Sequence, residues 1–159
     1  MKKSILIIAL IIALFTSACA PKEAEITQGE SVKYDISVVD SYMETVKKDA
    51  ENISDYLENE AMTQIDMNEK SKELYELWKE ALNYLVVELE HNFTKEEFEI
   101  FIDEQDLWTE ETERAIEEAG KGYEGGSVYP LIANSEGARL TEERVYELYG
   151  LLKEAVTES

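Results

Sequence analysis

An all-α fold is what this sequence predicts: an antiparallel bundle of about four helices, with one short helical turn and no sheet. Three observations point there. Apolar residues recur in steps of three and four over long stretches, helix-capping signals stand where those stretches begin, and no segment alternates with the period of two that a half-buried strand needs.

The first stripe is Ile36, Val39, Met43, Val46, Ala50, Ile53 and Leu57, which predicts a leading helix over residues 36–60. One narrow seam of this kind packs either against its own domain or against a second chain, so a homodimer through it stands as an alternative. A second helix is predicted from near Met62 and Thr63 to His91, with Leu74, Trp78, Ala81, Leu82, Leu85 and Leu89 on one face. Asn92 and Phe93 interrupt it. Thr94-Lys95-Glu96-Glu97 is a capping box, in which the threonine hydroxyl accepts from the Glu97 amide and the Glu97 carboxylate accepts from the Thr94 amide. The third helix follows, expected to turn Phe98, Phe101, Ile102, Trp108, Ala115 and Ile116 inward.

Gly120, Gly122, Gly125 and Gly126 end that helix, because glycine loses most on helix formation and alone accepts positive φ at little cost. Ser127 is expected to cap a short turn over 128–135, with Pro130 tolerated in its first turn. Thr141 is then expected to cap a last helix that buries Val145, Leu148, Leu151 and Leu152.

Ahead of the bundle lies a different kind of segment. Lys2-Lys3, an apolar run from Ile5 to Phe15 and Thr16-Ser17-Ala18-Cys19 have the form of an export signal with a lipid-accepting cysteine. The run is about half of what a helix needs to cross ~30 Å of hydrocarbon, so it is not expected to persist as a span. Residues 1–18 are therefore expected to be a lipoprotein signal peptide, Cys19 the lipidation site, 19–35 a flexible tether and 61–157 the main helical domain. This places the protein on the extracytoplasmic face of the cell membrane, with a plain secreted chain as the alternative. Cys19 is the only cysteine, so no disulfide is available within the chain.

Composition narrows the function. The formal charge is −21, and removal of residues 1–18 takes away Lys2 and Lys3 but no acid, which makes it −23. Such a polyanion repels nucleic acid and attracts basic proteins or cations. Catalysis has little to work with: His91 is the only histidine, and no glycine-flanked serine elbow occurs. Glu88 and His91 have the i, i+3 spacing of di-iron bundles, but those sites need a second such pair, and His91 is expected to be a solvated residue near a helix end. No metal, cofactor or catalytic residue is therefore assigned, and the chain is expected not to be an enzyme. Among the aromatics, Tyr123 and Tyr129 flank the glycine turn, and Tyr123, Glu124, Gly125, Gly126, Ser127 and Tyr129 form the candidate partner contact.

Thr63-Gln64, Met67-Asn68, Leu82-Asn83, Leu89, Gln105, Trp108, Glu124-Gly125-Gly126-Ser127, Pro130, Thr141, Arg144 and Leu148 occur in an ordered spacing. Over about residues 62–152 the chain resembles the N-terminal domain of LprI-type lysozyme inhibitors. The resemblance implies a small exported helical domain that binds and inhibits cationic muramidases. Family members commonly carry cysteines where this chain has Lys70, about Ile116 and about Glu136, and an arginine–aspartate pair where Thr112-Glu113 stands. Packing is expected to replace the missing disulfide bracing. The competing expectation is a non-catalytic envelope adaptor acting through helix pairing, and a weaker one is a buffer for metal or cationic peptide.

Overall fold

The computed structural model describes residues 34–158, and the signal peptide, lipidation site and tether expected over residues 1–33, Cys19 included, lie outside them. Four helices make up this part: α1 (Ile36–Asn59), α2 (Gln64–Asn92), α3 (Lys95–Gly120) and α4 (Tyr129–Glu158). No strand occurs among the described residues. Successive helices alternate in direction, yet the pair at the centre is α2 and α4, which run parallel. Asn68 and Asn134 meet near the two helix starts, and the Trp78 and Tyr146 rings lie 5.8 Å apart further along. α1 and α3 flank this pair.

Small residues let the central helices approach. Ser71 and Ala81 on α2, and Gly137, Ala138 and Thr141 on α4, are buried. Around them Trp78, Leu85, Leu89, Val145, Leu148 and Leu152 fill the core with at most 1% of their surface exposed.

α1 lays Val39, Met43, Val46 and Ala50 against this core. The middle of its apolar seam thus packs within the chain, while Ile36, Ile53 and Leu57 are half-buried. Tyr34 donates to Glu88 on α2, and Tyr149 donates to Asp40, which Lys153 also approaches at 3.2 Å. Tyr42 and Tyr84 stack with ring centroids 4.2 Å apart. Tyr34 thus packs with the bundle, and Asp35 caps α1 by accepting the Ser37 amide.

Thr63 caps α2, and the Thr94 capping box is formed in full. Phe93 and Phe98, on either side of that cap, both pack on Phe101, which fixes the angle at which α3 leaves the turn. Of the six side chains expected inward on α3, Phe101 alone is fully buried; Phe98, Ile102, Trp108, Ala115 and Ile116 are half-buried.

The largest correction concerns the C-terminal third. The short turn and the last helix are one continuous helix, α4, and Thr141 is a buried mid-helix residue rather than a cap. Asn134, Ser135 and Gly137 have loop-like propensities, but their partners outweigh them. The Asn134 side chain donates to Ser71 Oγ at 3.2 Å, and Gly137 accepts the Tyr75 ring so closely that a Cβ there would lie 2.7 Å from Tyr75 Cζ. Arg139 ties the same stretch together through Glu136 and Glu143. Leu151, expected in the core, is 37% exposed.

Candidate functional site

The segment between α3 and α4 is built from turns in series. The Tyr123 amide donates to Gly120 O at 2.9 Å, the Gly126 amide to Tyr123 O at 2.9 Å and the Tyr129 amide to Gly126 O at 3.2 Å. Gly122 at φ 101° and Gly125 at φ 73° supply the left-handed backbone this path requires. A Cβ at either position would meet nothing within 4 Å, so backbone conformation rather than space selects glycine there.

The six candidate contact residues divide by role. Tyr123, 48% exposed, and the exposed Glu124 present the tip to solvent. Gly125 and Gly126 shape it. Ser127 anchors it, because its carbonyl accepts the Asn68 side-chain amide at 2.9 Å. Tyr129 is half-buried over Gly120, where a Cβ would lie 2.5 Å from Tyr129 Cε2, so it packs the turn instead of projecting from it.

Asn68 is the residue whose role sequence reasoning left unassigned. Gln64 donates to its side-chain oxygen at 2.9 Å, while its own carbonyl accepts from Ser71 at 3.0 Å and from Asn134 at 3.4 Å. Asn68, oriented by Gln64 and distant in sequence from the glycine turn, thus holds that turn in place. A second cross-helix link joins Arg144 on α4 to Gln105 on α3 at 3.0 Å, with the guanidinium 5.9 Å from the Trp108 ring centre.

Three of the clefts between the described helices bear on the site. One of about 400 Å³ lies among α2, α3 and α4 and is lined by Tyr75, Lys79, Leu82, Trp108 and Glu113. Another, between α1 and α2, includes Tyr56, Lys70 and Glu73. The third, about 590 Å³, lies between α3 and the end of α4, with Phe93, Ile100, Phe101 and Leu151 among its apolar lining.

Charge is distributed unevenly. α3 carries eleven acids against Lys95 and Arg114, whereas α2, three residues longer, carries seven acids against three lysines. Hydrogen bonds from the Thr94 backbone and hydroxyl hold the Glu97 carboxyl below its usual range. The Arg139 guanidinium does the same for Glu136, while burial and then the neighbouring Glu143 push Glu142 up.

His91 is exposed in the last turn of α2, and among the described residues no group of three or more His, Cys, Asp or Glu side chains is arranged to hold a metal ion. Nor is any described helix long and apolar enough to cross a membrane. A family model described as "Lysozyme inhibitor LprI" matches residues 57–148. Comparison with curated proteins and with solved structures gives no match.

Proposed function

The chain belongs to the LprI lysozyme-inhibitor family, and from that premise we propose that it is a lipid-anchored extracytoplasmic lipoprotein that captures cationic lysozyme-type muramidases and blocks them. The observation that carries this reading is the family match itself, which runs from the end of α1 through α2 and α3 into α4. Charge supplies the physical motive. A basic enzyme approaching the cleaved chain, of formal charge −23, is drawn inward, and steering of this kind raises association to ~10⁸ M⁻¹s⁻¹ at low salt.

Capture alone does not inhibit. A muramidase works between two carboxyl groups in a cleft, and blocking it requires an element that enters that cleft. The turn tip at Tyr123 and Glu124 is the proposed element. It projects from the end of α3, is stiffened by successive hydrogen bonds and is pinned by Asn68. A rigid aromatic tip contributes contact area at small entropic cost.

The anchor at Cys19 concentrates the inhibitor at the surface where a muramidase acts. Two or three acyl chains, at about 0.8 kcal/mol per buried CH₂, hold a protein stably in a membrane. The test is direct: purified chain is added to lysozyme digesting cell walls. A dose-dependent fall in the rate of lysis supports the reading, and undiminished lysis at molar excess rejects it.

A further inference from the structure

Resting on the capture reading above, we propose that the cleft between the first half of α3 and the last turns of α4 is the docking surface, taking a lysine or arginine together with an apolar neighbour from the muramidase. Its lining includes Phe93 and Phe101, while Ile100 and Leu151 remain 63% and 37% exposed, apolar surface that the described residues leave uncovered. The charged residues around it are all acidic: Glu97, Glu104 and Glu154. The other two clefts differ here, since Lys70 lines one and Lys79 the other, and each already holds a cation.

Apolar walls with a carboxylate rim match the two halves of a long basic side chain. Its methylene stem lies along Ile100 and Leu151 while its head reaches a carboxylate, and the water displaced strengthens that pair. The same rim disfavours the alternative occupants: a second copy of this acidic chain and an anionic lipid surface are both repelled. Leu107, seven residues after Ile100 and on the same face of α3, extends the apolar row towards the helix middle. From Ile100 to Gly120 is about 30 Å at 1.5 Å per residue, close to the diameter of a small domain. One muramidase lying along α3 therefore reaches both this cleft and the Tyr123 tip.

The experiment measures the affinity of the full chain for a basic lysozyme by calorimetry. Replacing Glu104→Lys with Glu154→Lys is expected to weaken binding at least about tenfold. The matched reversal Glu44→Lys with Glu58→Lys on α1, identical in net charge, is expected to change it less than about threefold. Ile100→Ser alters no charge and is expected to weaken binding about fivefold through lost apolar contact. All these positions are exposed, and unchanged helical circular dichroism separates weakened binding from misfolding. Equal weakening by the two charge reversals, with no effect of Ile100→Ser, would overturn the cleft while leaving capture intact. An unsubstituted chain that does not bind lysozyme would overturn capture and the cleft together.

Discussion

α2 and α3 are consecutive helices of similar length, 29 and 26 residues, and they put their side chains to different uses. α2 buries Ser71, Trp78, Ala81, Leu82, Leu85 and Leu89, while α3 buries only Phe101, Thr112 and Gly120; each also leaves two large apolar side chains in solvent, Ile65 and Val87 on α2 and Ile100 and Leu107 on α3. α3 also carries the denser negative charge. The contrast teaches that packing is concentrated in α2 and α4, while α3, the turn after it and the last turns of α4 supply the surface proposed for docking.

The sharpest way to break this division is to truncate one residue on each helix. Leu85→Ala on α2 is expected to lose about 2–5 kcal/mol, because it leaves a cavity in a closed core, whereas Leu107→Ala on α3 is expected to stay within about 0.5 kcal/mol. Urea denaturation of both variants checks the pair. Equal losses would dissolve the distinction.

At the recognition end, Tyr123→Ala with Glu124→Ala is expected to weaken lysozyme inhibition about tenfold, or about 1.4 kcal/mol, with no change in melting temperature. A fall in melting temperature of several degrees would instead make the tip part of the fold. Thr94→Ala lies between the two regions, since its cap joins α2 to α3. Loss of the capping hydroxyl is expected to cost about 1 kcal/mol, read by thermal denaturation.

The smallest expected effects come from pH, and they sharpen the contrast by singling out α1. Burial first, then the Glu88 carboxylate, raises Tyr34 above its ordinary value, and burial with the Asp40 bond raises Tyr149. Folding favours the neutral phenols, so their contribution is complete below about pH 10 and is lost as pH rises through the higher folded-state values. Asp40 has the opposite sign. The Tyr149 hydroxyl lowers its folded-state value, so its contribution is present above about pH 3.9 and fades as pH falls through that lower value. The protection of α1 amides, taken relative to the base-catalysed intrinsic rate, is expected to fall above pH 10 before that of α2 does. Simultaneous loss of protection would show that the tyrosine bonds do not hold α1 separately.

Much of this was legible in the sequence where the signal is local. The α1 seam, the start of α2 near Thr63, the Thr94 cap and the glycine turn depend on residues within a few positions of one another, and each falls where expected. α4 was not legible as one helix, because what holds Asn134 and Gly137 helical is Ser71 and Tyr75, more than sixty positions away. The same limit applies to the candidate contact. Its exposed tip was recognisable, but nothing adjacent to Tyr129 indicates that its ring covers Gly120, and the hold of Asn68 on Ser127 spans 59 positions. The cleft beside Ile100 was missed for a related reason: an apolar residue on a helix looks the same in sequence whether or not a neighbouring helix covers it.

The measurement that bears most directly on charge-steered capture is the association rate of the purified chain with lysozyme as ionic strength rises. Between about 0.02 and 0.5 M salt the Debye length shrinks from about 20 Å to below 5 Å, and a fall of at least tenfold in association rate, with dissociation little changed, is the expected result. An association rate indifferent to salt, or no detectable association at the lowest salt, would contradict it.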